Sequence, residues 1–148
     1  MIFAIELSIF IICSVLISAY DIKTMYIPIF VSYAGFLISI VLTLIFKRDL
    51  FINRICGAAI LFLIFTLVRF STRRKLGLGD IHYSLYCGFL SGVPNFIFAA
   101  FISALLAMIF LLSKKITCRN NDILTMRLPF TPFMFLGCII SLFIPDFL

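Results

Sequence analysis

Two acidic residues stand out because of where they occur in the chain. Asp21 closes the first apolar segment, and Asp80 ends the segment Gly77-Leu78-Gly79-Asp80, just before another apolar run. The chain has only six acidic residues, and an ionisable group at the mouth of a membrane segment is costly unless it has a function. Two carboxylates that a helix bundle brings together can perform acid/base chemistry.

That chemistry has a simple form. Two neighbouring carboxylates cannot easily both ionise, so the pair holds one proton near neutral pH. The ionised member can draw a proton from water while the protonated member polarises a peptide carbonyl. Because this reaction uses neither a metal nor a covalent intermediate, no cofactor is predicted. Gly77 and Gly79 would let a substrate backbone approach Asp80, since a Cβ there would obstruct it.

The composition indicates that these acids belong to a membrane protein. The chain is 64% hydrophobic and 12% charged, with a mean hydropathy of +1.27, whereas a soluble globular domain is usually about 25% charged. We therefore predict an all-α fold, a polytopic membrane helix bundle. A chain of 148 residues has room for one bundle, so residues 1–148 are predicted to form a single transmembrane domain.

Five apolar segments have roughly the 17 to 25 residues that a membrane span needs. They cover about residues 2–20, 28–46, 54–70, 95–112 and 129–146. A shorter run, 81–93, precedes Pro94. Its length fits a short, protein-buried or partly re-entrant helix as well as a full crossing. Hydrophobicity alone leaves five or six spans open.

The basic residues favour six spans. If all six cross and the N-terminus lies outside, nine Lys and Arg residues lie inside and three outside. The inner residues are Lys23, Arg69, Arg73, Arg74, Lys75, Lys114, Lys115, Arg119 and Arg127, and the outer ones are Lys47, Arg48 and Arg54. If the run 81–93 does not cross, five lie inside and seven outside. The positive-inside rule therefore predicts about six transmembrane helices, with both termini outside and both aspartates inside.

Each aspartate also has a purely structural interpretation. Asp80 could be the N-cap of the next helix, with Gly77 and Gly79 as ordinary turn residues. Asp21 could be a solvated charge at a helix end, near Lys23. Neither interpretation explains why the two acids lie on the same side of the predicted bundle, so the joint, catalytic interpretation gains support.

Other kinds of site find little support in the sequence. The five cysteines occur singly, and the only histidine, His82, has no second histidine with which to share a metal, so no metal site is predicted. His82 is interpreted as a polar residue that lines the bundle. The net charge of +6 acts mainly as the orientation signal, and no nucleic-acid partner is expected.

Three segments, in order along the chain, resemble a known family. Asp21-Ile22-Lys23-Thr24-Met25-Tyr26-Ile27-Pro28 resembles the D(x)6P stretch at the end of the first helix in type IV prepilin peptidases, which are GxGD membrane aspartic peptidases. Gly77-Leu78-Gly79-Asp80 matches their GxGD motif. Leu128-Pro129-Phe130-Thr131-Pro132-Phe133, with Gly137, resembles their C-terminal Pro-Phe-x-Pro-Phe segment.

This resemblance implies an aspartic endopeptidase of the bacterial inner membrane that acts in type IV pilus assembly or type II secretion. Such an enzyme removes the basic leader of prepilins or pseudopilins at the cytoplasmic face. Asp21 and Asp80 carry over as the catalytic pair. Residues expected to bind substrate or shape the site are Gly77, Gly79, Pro28, His82, Pro129, Phe130 and Pro132. The expected partners are prepilin or pseudopilin substrates and the lipid bilayer.

The chain departs from the family pattern in three respects. Ile29 stands where Asn is common after Ile-Pro, and His82 stands where Lys is common two residues after the second Asp. The N-terminal domain of larger members, with its paired CxxC cysteines and its link to N-methylation of the product, is not found in the sequence. The resemblance therefore implies a minimal peptidase without methyltransferase activity.

Two other interpretations remain open at the sequence level. The chain could be a small non-enzymatic membrane subunit for transport or assembly, in which the acids cap helices and Pro129 and Pro132 kink the last one. It could also be a presenilin-like GxGD protease, whose first acid lies in a Tyr-Asp pair like Tyr20-Asp21. The short length and the Pro-Phe-x-Pro-Phe segment weigh against the second.

The charge count makes a prediction about topology. Cys118 is expected to face the cytoplasm. Eight of the nine inner basic residues lie in or beside two loops, one of which contains Cys118. Placing either loop outside would reverse the charge bias that sets the orientation of the bundle. In intact cells Cys118 should resist a membrane-impermeant thiol reagent and react only after permeabilisation. A cysteine introduced at Asp49 should be labelled directly. Labelling of Cys118 in intact cells would contradict the six-span topology.

Overall fold

The structure is a computed structural model that describes residues 2–72, 76–117 and 128–143. Within these ranges the chain forms six α-helices and no strand. They are α1 (Ile2–Thr24), α2 (Ile29–Phe46), α3 (Arg48–Ser71), α4 (Leu78–Ser91), α5 (Asn95–Thr117) and α6 (Thr131–Leu142). The all-α prediction is confirmed. Cys118 lies outside the described residues, as do five of the predicted inner basic residues, Arg73, Arg74, Lys75, Arg119 and Arg127.

Four of the helices, α1, α2, α3 and α5, are long and apolar enough to cross a membrane. At 1.5 Å per residue they extend about 27 to 36 Å, which matches a hydrocarbon core of about 30 Å. Their outer surfaces carry large apolar side chains, among them Phe30 at 85% exposure and Phe101 at 64%. A continuous apolar exterior of this kind is stable against lipid and would be a liability in water.

The helix bounds differ from the predicted spans in α1, α3, α5 and α6: α5 continues past residue 112 to Thr117, and α6 begins at Thr131 rather than at residue 129. The first helix continues past residue 20 to Thr24, so Asp21 lies within its last turn. The third helix begins at Arg48 rather than at residue 54, because the polar residues before the apolar run continue the same helix. An apolar window detects the part of a helix that lies in lipid, and helices commonly extend beyond it.

The short run after Asp80 forms the central helix of the bundle. Ten of the 14 residues of α4 are buried, and α4 contacts α2, α3, α5 and α6. It begins beside the end of α1 that carries Asp21 and ends beside the start of α3, where the Asn53 side chain accepts a hydrogen bond from Val93 N–H. The helix thus runs from one end of the bundle to the other. Because protein surrounds it, α4 can be shorter than a lipid-exposed span.

Glycines allow the central helix to pack closely on its neighbours. A Cβ on Gly57 of α3 would lie 2.6 Å from the Gly88 carbonyl oxygen of α4, and a Cβ on Gly88 would lie 2.6 Å from the Gly57 oxygen. Between α5 and α6, a Cβ on Gly137 would lie 2.6 Å from the Ala99 oxygen. Small residues at such crossings let two backbones touch, which drives helix association in membranes.

A buried ion pair joins the helices at the end of the bundle opposite Asp21, here called the Glu6 end. Arg54 Nη1 lies 3.1 Å from Glu6 Oε2 and donates to Thr43 Oγ1 at 2.7 Å. The Arg54 guanidinium also lies 5.8 Å from the ring centre of Phe89. Side chains from α1, α2, α3 and α4 therefore meet here. Glu6 is fully buried and Arg54 is 6% exposed, so each charge depends on the other.

We predict that Arg54→Met will destabilise the protein by about 3–5 kcal/mol, because it leaves the Glu6 carboxylate buried without its counter-ion. The double variant Glu6→Gln/Arg54→Met should recover much of that loss. Thermal unfolding in detergent measures both effects. Lys47→Met, at the same end of the bundle, is the matched control: Lys47 is half-buried and loses only the contact of its ammonium with the Phe3 ring, so stability should change by about 1 kcal/mol or less. Equal melting of the Arg54 and Lys47 variants would contradict the prediction.

Candidate active site

Asp21 lies where the first helix ends. It occupies the last turn of α1 and is 5% exposed. Met25 terminates the helix with a φ of 54°, a left-handed conformation that is uncommon for a residue other than glycine. The Met25 N–H still donates to the Asp21 carbonyl at 2.8 Å. The chain then reverses within a few residues and Pro28 leads into α2, so the Asp21 side chain is held at the edge of the bundle.

Asp80 lies in the first turn of α4 and is 8% exposed. The N-cap of this helix is Gly77, which makes the prediction of Asp80 as the N-cap wrong. Asp80 stands three residues later, and its carboxylate accepts a hydrogen bond from the Gly77 N–H. This is the backward bond that an acid makes in a capping box. The bond occupies one carboxylate oxygen, while Oδ1 has no partner among the described residues.

The last helix holds the other aspartate. Thr131 is the first residue of α6, and its N–H donates to Asp21 Oδ2 at 3.2 Å. The first N–H groups of a helix have no partner within it and carry partial positive charge, so a carboxylate placed there is stabilised. The Pro-Phe-x-Pro-Phe segment thus contributes to the site through the helix start that it forms.

The three segments that carry the family resemblance meet at this end of the bundle, here called the aspartate end. The negative charge of Asp21 acts on Asp80. Behind the two acids, Ile27 packs against Gly79, where an added Cβ would lie 2.6 Å from the Ile27 Cβ. The close approach explains a glycine at position 79 on packing grounds. Gly77 is exposed, and the prediction that it admits a substrate backbone stays a prediction.

His82 is turned toward α2 and α3. Its Nδ1 is 2.8 Å from the Tyr33 hydroxyl, and its ring centre lies 5.7 Å from that of Tyr33 and 6.5 Å from that of Phe62. No described contact links it to either aspartate. Two residues along a helix correspond to about 200° of rotation, so His82 and Asp80 project in nearly opposite directions.

The proline and phenylalanine residues predicted to shape the site flank it. Pro28 precedes α2, and Phe130 is the N-cap of α6, with a proline in the first turn of that helix. The Phe130 ring lies 5.9 Å from Phe65 of α3, measured between ring centres. Proline at the start of a helix costs no hydrogen bond and presets the backbone. Phe130 and the proline of the first turn thus help to set where α6 begins, and with it the N-terminus that holds Asp21.

Arg69 supports the segment before the GxGD motif. Its Nη1 donates to the carbonyl oxygen of Leu76, the residue before Gly77.

Within residues 2–72, 76–117 and 128–143, neither aspartate has a salt-bridge partner. The same residues contain no group of three or more His, Cys, Asp or Glu side chains that could hold a metal ion. Among the described residues, the charge at the site is therefore that of the two carboxylates and the helix N-termini that face them.

The fold and the site together define a membrane helix bundle with two buried carboxylates, from different helices, at one end. A model of the type IV leader peptidase family matches residues 8–112, well over half of the chain, and the matched region contains Asp21 and Asp80. The chain therefore belongs to the type IV leader peptidase family. Comparisons with curated proteins and with solved structures found no match. The family expected from the sequence is confirmed, and it implies a peptidase.

We predict that Gly77→Ala will lower peptidase activity about ten- to a hundred-fold without unfolding the protein. The new Cβ would lie 2.8 Å from Asp80 Oδ2, so the carboxylate has to move, and a displacement of about 1 Å can cost this much. The backbone of Gly77 has a φ of −63°, which alanine adopts readily.

The control for this prediction is Gly57→Ala at the α3–α4 crossing, where backbone atoms cannot move aside. Gly57→Ala should lower the melting temperature, whereas Gly77→Ala should not. Activity and thermal unfolding in detergent distinguish the two. Full activity of Gly77→Ala would show that the position of the Asp80 carboxylate is not critical.

Proposed function

We propose that this protein is an aspartic endopeptidase that removes the basic leader of prepilins or pseudopilins, with Asp21 and Asp80 as its catalytic pair. The observation that carries the proposal is the arrangement of the two acids. Each is buried, each accepts one backbone N–H at the start of a helix, and the charge of one acts on the other. Family membership supports a peptidase, and this arrangement supports the aspartic type.

The two carboxyl groups have different surroundings, which suggests their roles. Asp80 Oδ1 is buried without a partner among the residues that the structure describes, and a bare anionic oxygen is costly in such a place. Asp80 is therefore assigned the shared proton. Asp21 accepts the N–H at the start of α6, where a helix N-terminus stabilises a carboxylate. Asp21 is assigned as the base and Asp80 as the acid.

In the proposed reaction the two carboxyl groups hold one proton between them at the start and again at the end. Asp21 takes a proton from water as the water oxygen bonds to the carbonyl carbon, and Asp80 protonates the carbonyl oxygen. The resulting gem-diol then collapses. Asp21 returns its proton to the peptide nitrogen as the C–N bond breaks, and one hydroxyl of the gem-diol reprotonates Asp80. The products are a carboxylic acid and an amine, and the pair is ready for another cycle.

Family membership and the position of the site support the proposed substrate class. The aspartate end is also the end at which α3 finishes with Arg69, on the side that the charge count predicts to be cytoplasmic. A leader with positive charge followed by an apolar stem would place its stem in the bilayer and its leader at this surface. The proposed location is the bacterial inner membrane, with the active site toward the cytoplasm.

We predict that Asp21→Asn and Asp80→Asn will each abolish leader removal. Asparagine keeps the size of the side chain but cannot exchange the proton, so about a thousand-fold or more of the rate should be lost. The measurement is co-expression with candidate prepilins, followed by a gel shift of the cleaved product. Immunoblotting of the membrane fraction checks that each variant is present.

Asp49→Asn is the matched control. Asp49 is an exposed acid in the first turn of α3, at the Glu6 end of the bundle, and its change should leave processing intact. Near-normal processing by either Asp21→Asn or Asp80→Asn would eliminate the catalytic pair. Tolerance of asparagine at both positions would favour a non-enzymatic membrane subunit.

A further inference from the structure

At the aspartate end of the bundle, three buried side-chain oxygens have no hydrogen-bond partner within the described part of the chain. They are Ser18 Oγ of α1, Asp80 Oδ1 of α4 and Thr131 Oγ1 of α6. Ser18 is 7% exposed and Thr131 is fully buried. Buried polar atoms without partners are rare in native proteins, so a group of them at one place needs an explanation.

The two hydroxyls belong to residues that flank Asp21. Ser18 precedes Asp21 by three residues, so both side chains lie on the same face of α1. Thr131 donates its backbone N–H to Asp21 Oδ2, which places its side chain within the same few ångströms. Ser18 and Thr131 therefore flank the residue that is assigned as the base, and neither hydroxyl is hydrogen-bonded to it.

The missing partner of Ser18 is not a general feature of serine in this bundle. Buried serines elsewhere donate to a carbonyl of their own helix: Ser84 to Ile81 and Ser103 to Ala99, at 2.7 and 2.6 Å. This local bond is the ordinary outcome for a helical serine. The Ser18 hydroxyl does not make it. Thr131 stands at the first position of α6, where no preceding helical turn supplies a carbonyl.

We infer that the hydroxyls of Ser18 and Thr131 bind and orient the attacking water next to Asp21. A hydroxyl can both donate and accept a hydrogen bond, so two of them can hold a water in place while Asp21 accepts one of its protons. Polar buried sites with several partners of this kind retain ordered water. The inference rests on the proposed function and adds two positioning residues to it.

The test uses purified full-length protein in detergent and a synthetic peptide with a basic leader followed by an apolar stem. Thr131→Val removes the hydroxyl but keeps the shape and the N–H that binds Asp21. We expect kcat to fall about ten- to a hundred-fold, as for a misplaced reacting group, with KM within about two-fold. Thr131→Ser should retain most of the activity. Ser18→Ala should behave like Thr131→Val.

Thermal unfolding provides a readout that does not depend on activity. Because the Thr131 hydroxyl has no partner in the described ranges of the chain, its replacement by a methyl group should leave the melting temperature within about 2 °C of wild type, or raise it. Ser103→Ala is the control: it removes a buried hydroxyl that is already bonded to its own helix, away from the aspartate end, and should leave kcat unchanged.

The possible outcomes separate this inference from the proposed function. If the asparagine variants of the aspartates are inactive but Thr131→Val and Ser18→Ala keep the wild-type kcat, the water-binding role is wrong and the catalytic pair stands. If an asparagine variant is active, the proposed function itself fails. A fall of the Thr131→Val melting temperature by more than about 2 °C, with no recovery of kcat in Thr131→Ser, would assign the hydroxyl a structural role and overturn the inference.

Discussion

The hydrogen bond from the Thr131 N–H to Asp21 joins the first helix to the last, and the rest of the site depends on it. A buried carboxylate and a free helix N-terminus are each costly without a hydrogen-bond partner, and here they are partners for one another. The N–H at the start of α6 binds the carboxylate at the end of α1, so both groups are satisfied by one hydrogen bond. The Gly77 N–H does the same for Asp80 within α4. Both acids are thereby held with oxygens left for chemistry.

The opposite end of the bundle is closed by a different kind of polar contact. The Glu6–Arg54 pair, together with Thr43, ties α1, α2 and α3 together, with Phe89 of α4 against the guanidinium. Between the two ends, α1 and α4 are joined again where the Tyr83 hydroxyl donates to Ser14 at 2.7 Å. The helices that carry the two aspartates are therefore fixed at several levels, which limits how far the carboxylates can drift apart. Such rigidity is what a preorganised site requires.

The inside and outside of the bundle are built differently. Close glycine contacts and buried hydroxyls occur around α4, whereas the outer faces of α1, α2, α3 and α5 are apolar and exposed. Lipid provides no hydrophobic driving force between helices, so close packing and internal hydrogen bonds have to hold them together. A helix as short as α4 fits this design because only protein surrounds most of it. The two acids therefore lie at one end of the bundle, on a helix end and a helix start that the surrounding helices hold in place.

Local sequence properties were sufficient to predict the class of fold and to identify the two acids as unusual. Apolar length and the scarcity of charge predicted a helical membrane bundle, and the isolated positions of Asp21 and Asp80 marked them as unusual, because lipid penalises such groups wherever they occur. Other features required the tertiary structure. Asp80 is bonded backwards to Gly77 rather than acting as an N-cap, the α6 N-terminus binds Asp21, and Glu6 pairs with Arg54 across 48 positions. These features are contacts between segments that are distant in the sequence, or one local hydrogen bond formed in place of another. Only the packing of the helices determines which polar groups meet. It also determines which ones, like Ser18 and Thr131, have no partner in the described chain.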